Sequence, residues 1–370
     1  MGVALMSAYL FWRFWAAFPK LAWWRLTAAG LLAVLAGAGY WGRWLHDAGW
    51  TAAATVGRAI LLVGLAPLFW FLCVGLTLQA WNLLLWPAAK AWPDAARLRL
   101  SPRAQFIAAS VIVAVAVTWG VVEACRVGVR HVVVEVDRLP EGRSSVTIAQ
   151  VSDLHVGNLA SRQRLDAAIR HLTRLRPDII VSTGDLVDGR LHETDHLAES
   201  LAAVDAPLGK YAVMGNHEFY SGVEISEAFH ARAGFQLLRG QVVEPIAGLL
   251  LVGVDDPAAR WRGDGEHVDE MPLLAEVDRQ DVIVLLKHQP VVIPDATGRF
   301  DLQLSGHTHG GQIFPFGLLI RLKYAFSPGR HALADGSTLY LSPGTGTWGP
   351  PLRLGSPPEV TLIELRPRER

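Results

Sequence analysis

Apolar residues are spread very unevenly along this 370-residue chain. In the first third they form long unbroken runs. Residues 26–41, 59–81 and 104–122 contain no charged side chain. At 1.5 Å rise per residue each run makes a helix of roughly 24–35 Å, close to the hydrocarbon thickness of a bilayer. With flanking residues added, they predict transmembrane helices over 26–44, 59–85 and 104–125. Trp23, Trp24, Trp41, Trp44, Trp81, Trp86 and Trp92 stand at the ends of the runs, where amphipathic rings favour the headgroup layer. Residues 1–18 are also apolar but carry Arg13, and are read either as a further span or as a helix lying in the interface. No Lys or Arg precedes that stretch, which argues against a cleaved signal peptide.

Beyond about residue 126 the pattern changes. Short apolar runs ending in polar residues alternate with amphipathic segments. "VTIAQVSD" (146–153), "DIIVSTGD" (178–185), "KYAVMGNH" (210–217), "LLLVGVDD" (249–256), "DVIVLLKH" (281–288) and "DLQLSGH" (301–307) read as buried strands, and "STLYLSPG" and "EVTLIEL" as two late ones. Between them, Ser161 caps a helix with Leu165, Ile169, Leu172 and Leu175 on one face, stopped near Pro177. A second helix runs roughly from Glu193 to Val204. Alternating strands and helices predict a layered α/β domain. The expected organisation is a membrane region at 1–125, a linker and leading strand at 126–145, and an α/β domain at 146–366.

Composition sharpens this division. Twelve of the 14 Trp lie before residue 120, and nearly all acidic residues lie after it. Lys+Arg and Asp+Glu balance at 34 each, so charge gives no reason to expect a nucleic acid or other polyanionic partner. Lys90, Arg97, Arg99 and Arg103 outnumber Arg43 and Arg58 in the preceding loop. The positive-inside tendency then places residues 87–103 in the cytoplasm and everything after Cys125 on the extracytoplasmic side. Cys73 and Cys125 sit in or beside the spans as small apolar residues, and the soluble part contains no cysteine.

The chemistry gathers at the strand ends. Asp153, Asp185, Asn216, His288 and His307 each follow an apolar strand, and sites in open α/β sheets lie beyond the carboxyl ends of strands. The segments are "SDLH" (Asp153, His155), "GDLVD" (Asp185, Asp188), "GNHE" (Asn216, His217), "KHQP" (His288) and "SGHTHGG" (His307, His309). They supply carboxylate, amide and imidazole donors without thiolate. That mixture suits Zn, Mn or Fe better than Ca or Mg. Gly184, Gly215, Gly306 and Gly310 allow close backbone approach at crowded turns. The other histidines lack such a context and read as surface or hydrogen-bonded residues.

The ordered set D-x-H, G-D-x-x-D, G-N-H-E, H and G-H-x-H makes residues 140–366 resemble a calcineurin-like metallophosphoesterase. "SGHTHGGQI" and "LYLSPGTGTWGPPLRLGSPPEVTLIEL" are most similar to the bacterial membrane-associated branch of YkuE/YaeI-like phosphoesterases. The resemblance implies a four-layer α/β/β/α domain following the transmembrane helices. It also implies two divalent metal ions. One would be held by Asp153, His155, Asp185 and His309, the other by Asp185, Asn216, His288 and His307, with Asp185 shared. His217 would sit beside the substrate phosphate and Asp188 would orient it. The expected reaction is hydrolysis of a phosphodiester or phosphomonoester by in-line attack of a metal-bridging hydroxide, with His217 stabilising charge or protonating the leaving oxygen. The expected location is a bacterial inner membrane, and a lipid-linked substrate is among the candidates.

Departures narrow the class. Protein phosphatases of the superfamily carry Arg where this chain has Met214 and Gly189. UDP-diacylglucosamine pyrophosphate hydrolases, which act at the cytoplasmic face, commonly carry Arg where His217 stands, but they stay an alternative. A non-catalytic metal-binding sensor should have lost ligands, and all seven are present. A transporter should carry polar groups at mid-membrane, and these spans hold almost none. One segment has two readings: residues 313–326, "IFPFGLLIRLKYAF", form either a hydrophobic strand or plug in the core, or a loop dipping into the headgroup layer.

Overall fold

The computed structural model describes residues 2–19, 51–157, 161–188, 195–262 and 269–368. The chain divides into two compact units, Met1–Gly120 and Val121–Arg370. Among the described residues, three helices dominate the start: α1 (Gly2–Ala17), α2 (Thr51–Ala91) and α3 (Pro102–Cys125). Within them, Ala66–Ala91 and Pro102–Cys125 are long and apolar enough to cross a membrane. The span expected at 26–44 lies outside the described residues. The apolar stretch Val3–Ala17 is shorter than the ~20 residues a span requires. Two polar side-chain pairs link these helices: buried Arg13 donates to Gln105 Oε1, and the Tyr9 hydroxyl donates to Gln79 Oε1 at 3.2 Å.

The second unit contains two six-stranded sheets. The first has the order β1 (Gly128–Val136), β12 (Glu359–Pro367), β2 (Val146–Val151), β3 (Ile179–Ser182), β4 (Lys210–Ala212), β5 (Gln236–Leu237). The second has the order β10 (Gly329–Ala332), β11 (Thr338–Leu341), β9 (Leu302–Ser305), β8 (Val282–Lys287), β7 (Leu249–Val254), β6 (Gln241–Ile246). Strands β2 to β5 run parallel, as do β7, β8, β9 and β11.

Strand periodicity explains the layers. Ile148, Ile179 and Val181 face Leu249, Leu251, Val282, Val284, Leu302 and Leu304 between the sheets. Their neighbours Ala149, Val151 and Ile180 point the opposite way. These meet Leu165 and Leu172 of α4 (Ser161–Leu175), Leu197 and Leu201 of α5 (Asp195–Ala202), and Phe229 of α7 (Val223–Arg232), which follows α6 (Asn216–Ser221). On the far side, Leu250, Val252, Ile283 and Leu285 pack on Phe300 and on Leu274 of α9 (Glu270–Glu276), which follows α8 (Ala258–Arg262). The result is the expected four-layer α/β/β/α arrangement. Each fully buried aliphatic side chain contributes about 1.5–3 kcal/mol. The parallel strands of the two stacked sheets bring their carboxyl ends to one crevice.

The segment after β9 corrects one of its two readings. Ile313 and Tyr324 are buried, but the helix between them, α10 (Phe316–Lys323), buries no residue. It is neither a core strand nor a plug.

Candidate metal centre

Asp153 and His155 follow β2, Asp185 and Asp188 follow β3, Asn216 and His217 open α6 after β4, His288 follows β8, and His307 and His309 follow β9. Their loops are strained. Asp153, His155, Asp185, His307 and His309 have φ of 54°, 51°, 52°, 73° and 49°. Left-handed backbone at a non-glycine residue costs on the order of 1–3 kcal/mol and persists only where its surroundings fix it. Here the loops fix one another. Asp153 N donates to Gly184 O and His155 N to Asp185 O, both at 3.0 Å. His307 N donates to the Asp153 carboxylate at 3.0 Å, and His217 N to Asp185 Oδ1 at 2.8 Å. Glycine makes such proximity possible. A Cβ on Gly184, where φ is +94°, would lie 2.6 Å from His288 Nδ1 and 2.7 Å from Gly215 N.

All nine predicted residues meet in this crevice. Among the described residues, three overlapping groups of donors form: Asp153, His155 and His309; His155, Asp185 and His217; and Asp185, His288 and His307. His155 Nε2 lies 3.1 Å from His309 Nε2, and His309 Nε2 lies 3.5 Å from Asp153 Oδ1. On the other half, His288 Nε2 lies 3.1 Å from His307 Nδ1, 3.2 Å from Asn216 Oδ1 and 3.2 Å from Asp185 Oδ2. Ligands about 2.0–2.2 Å from a shared ion are separated by distances of this order. His288 Nδ1 is 2.8 Å from Thr183 O, an acceptor only, so Nδ1 carries a proton and Nε2 is the atom turned to the centre.

Electrostatics point the same way. Asp153 is buried, and burial pushes its carboxyl up. Burial also opposes charge on Asp185, but His288, His155 and His217 outweigh it and hold this carboxyl down. Burial, then the charge of His288, pushes His307 down to about 3. Burial, His155 and Arg353 push His309 down as well. Neutral His307 and His309 are in the protonation state that metal binding needs, whereas Asp185, against the effect of burial, raises His288, which must give up a proton to become a ligand. The donor set, its spacing and its charge therefore fit a pair of divalent ions.

Asp188 and His217 form a second pair. His217 Nδ1 lies 2.9 Å from Asp188 Oδ1, and His155 Nδ1 lies 3.2 Å from Asp188 Oδ2. Burial opposes charge on both partners. The hydrogen bonds from His155 and His217 nonetheless hold Asp188 well below the usual carboxylate range. Its bond to Asp188 and the charge of Asp185 raise His217. His217 is flanked by the rings of Tyr220 and Trp348, with centroids 5.4 and 6.2 Å away, both more than half exposed.

Two residues were not singled out from sequence. Glu218, fully buried, accepts the backbone N–H of Asp185 at 2.9 Å, Gly215 at 2.8 Å and Val187 at 3.0 Å. Burial and the charge of Asp185 push its carboxyl up to about 7, against the pull of those amides. It lies inside the G-N-H-E motif, which was its only signal. Arg353, also fully buried, donates to the carbonyls of Gly344, Gly346 and Ser356, and its Nη2 lies 3.3 Å from His309 Nδ1. Nothing in "PPLRLGSPP" distinguishes it from a solvated arginine.

Comparison with known proteins agrees with this geometry. The calcineurin-like phosphoesterase family model matches residues 146–311. An uncharacterized metallophosphoesterase of Aquifex aeolicus is 42% identical over 234 residues, covering 63% of this chain and 89% of the relative. The chain belongs to the calcineurin-like metallophosphoesterase family. This metallophosphoesterase is also 30% identical over 238 residues to YkuE of Bacillus subtilis, covering 62% of this chain and 82% of that one. A zebrafish (Danio rerio) protein named transmembrane protein with metallophosphoesterase domain is 31% identical over 281 residues, which cover 71% of this chain and 63% of its own length. The metallophosphoesterase is thus a metal-dependent phosphoric ester hydrolase by family, with donors for a binuclear centre.

Proposed function

We propose that this chain is a membrane-anchored binuclear phosphoesterase that hydrolyses phosphodiester or phosphomonoester bonds. One observation carries the reading: a single carboxylate oxygen, Asp185 Oδ2, faces both halves of the centre, 3.9 Å from His155 Nε2 and 3.2 Å from His288 Nε2. Asp153, His155, Asp185 and His309 would hold one ion, and Asp185, Asn216, His288 and His307 the other. The nitrogen-rich donors favour Mn, Zn or Fe. When bound, the ion pair supplies a clamp for the phosphoryl group and an acidified water for in-line attack.

The protein's own groups do the rest. His217, charged through Asp188, sits beside the centre and donates a hydrogen bond or a proton to a phosphate oxygen. Asp188 holds that imidazole in place and keeps its charge. Glu218 ties the turn carrying Asp185 to the turn carrying Asn216, so the two halves keep their spacing. Arg353 fixes the loop behind His309. The apolar helices and the zebrafish relative's name support membrane attachment. The Lys and Arg distribution supports an extracytoplasmic catalytic unit in an inner membrane.

The test is hydrolysis of bis(4-nitrophenyl) phosphate by the full chain in detergent with Mn or Zn. Wild type turns over, while Asp185→Ala and His217→Ala lose most of the rate. An inert wild type with either metal overturns the reading. A reporter fused after the last residue reads the side of the membrane.

A further inference from the structure

Immediately after the metal-facing loop, α10 presents an apolar face that the fold leaves uncovered. Leu318, Leu319 and Leu322 are 57%, 59% and 84% exposed, and Phe314 just before the helix is 61% exposed. A surface helix ordinarily buries one apolar stripe. This one buries none of its eight residues. Loose attachment is not the reason. Phe314 N donates to Leu354 O at 2.9 Å at the leading end. At the trailing end the buried Tyr324 donates its hydroxyl to Gln289 Oε1 at 3.2 Å and packs its ring 5.5 Å from that of His307. The helix is held against the metal loop at both ends with its leucines outward.

Charge says what the face meets. No Asp or Glu occurs between Asp301 and Asp335, whereas Arg321, Lys323 and Arg330 do. Among the described residues no carboxylate pairs with Arg321 or Lys323, and Lys323 Nζ lies 4.9 Å from the centroid of the Tyr324 ring. Leucines interleaved with basic residues and lacking acidic ones are the pattern of a helix lying in an anionic bilayer interface. A cavity of about 250 Å³ opens beside the helix, lined by Phe314, Leu318, Arg321, Phe326, Leu354 and Gly355. Its wall is bonded to Glu123: Glu123 Oε1 accepts the N–H of Gly355 at 3.0 Å and of Ser356 at 3.1 Å. Glu123 is the first charged residue after the apolar run 104–122, and therefore marks where that run leaves hydrocarbon.

We propose that α10 docks on an anionic phospholipid surface. Phe314, Leu318, Leu319 and Leu322 enter the boundary between headgroups and acyl chains, and Arg321 and Lys323 pair with lipid phosphates. The docked helix delivers a lipid phosphoester, its acyl part in the cavity, to the neighbouring metal centre. Delivery rests on the phosphoesterase reading; docking does not.

The test uses the full chain in nanodiscs of phosphatidylcholine with and without phosphatidylglycerol. An environment-sensitive fluorophore is attached at Leu322→Cys, or at exposed Glu276→Cys at the end of α9, with Cys73 and Cys125 replaced by Ala. The label at 322 shifts to the blue and is quenched by brominated acyl chains, more strongly with phosphatidylglycerol; the label at 276 does neither. A label at 322 that reports water, or one that is shielded yet unquenched by brominated lipid because a protein surface covers it, overturns docking. In a second arm, Leu318→Ser/Leu319→Ser/Leu322→Ser keeps turnover of bis(4-nitrophenyl) phosphate. It loses about tenfold or more on the 4-nitrophenyl ester of dioleoylphosphatidic acid in vesicles, since three apolar contacts with lipid are removed. Equal loss on both substrates overturns delivery. A wild type inert on the soluble ester defeats the phosphoesterase reading instead, and the label still decides docking.

Discussion

Replacing Glu218 by Ala strikes the joint between the two halves of the centre. Its carboxylate accepts three buried backbone N–H groups, from Asp185, Gly215 and Val187, at 2.8–3.0 Å. These donors belong to the turns that carry Asp185 and Asn216. Each amide left without an acceptor costs about 1–3 kcal/mol. Water entering the vacated space recovers part of that, so the expected loss is about 3 kcal/mol, the low end of the sum. For a catalytic unit of this size, that lowers the unfolding midpoint by roughly 6–12 °C. Glu218→Gln keeps the shape and one carbonyl acceptor but turns an NH₂ towards a donor, and should fall between wild type and Ala. The assay is thermal unfolding of the full chain in detergent, with metal content measured on the same preparations. The expected order of midpoints is wild type, Gln, Ala, and metal retention follows that order. A Glu218→Ala protein that melts with wild type and keeps its full metal complement refutes the claim that this carboxylate braces the site.

Three further outcomes follow from the same geometry. His217 is raised by Asp188, so its imidazolium persists to higher pH, and activity that needs it is lost as pH rises through the raised value. Asp188→Asn removes that support, and the alkaline limb of the kcat/KM profile moves to lower pH; an unmoved limb contradicts the pairing. The same pair carries a stability signature. The His217 contribution is fully present below the ordinary histidine value of about 6.5 and lost as pH rises through the folded value. The Asp188 contribution is present above the ordinary carboxylate value and lost only as pH falls through its lowered one, so melting of the chelated Asp188→Asn protein shows a weaker pH dependence on both sides. Finally, Gly184→Ala drives a Cβ to within 2.6 Å of His288 Nδ1 at a φ of +94°, and metal affinity measured by competition with a chelator drops; unchanged affinity refutes the close packing.

Much of this was legible in the sequence because the strands are buried on both faces. In β2, Ile148 enters the core between the sheets and Ala149 the core under the helices, so both positions had to be apolar and the strand read as an unbroken run. The polar residue ending each run marked the crevice, and the structure brings those residues together. The edge strands were harder. β5 has only two residues, and β6 and β10 are partly exposed, so none carries a strong pattern. The helix α10 was illegible because its eight residues, with only Arg321 and Lys323 polar, are too few to establish a period of 3.6. Glu218 and Arg353 act on backbone groups from distant segments, and such groups look alike in every sequence. The left-handed conformation of Asp153, His155, Asp185, His307 and His309 was equally hidden, since Asp and His carry no mark of it.

The central claim is a binuclear centre in which Asp185 serves both ions. Counting divalent metal per chain by plasma mass spectrometry, after saturation with Mn and removal of excess, tests it most directly. The account predicts two ions per chain for wild type and depletion of both in Asp185→Ala, because each half of the centre loses the same carboxylate. A wild type that saturates at one ion, or an Asp185→Ala protein that still holds two, contradicts it.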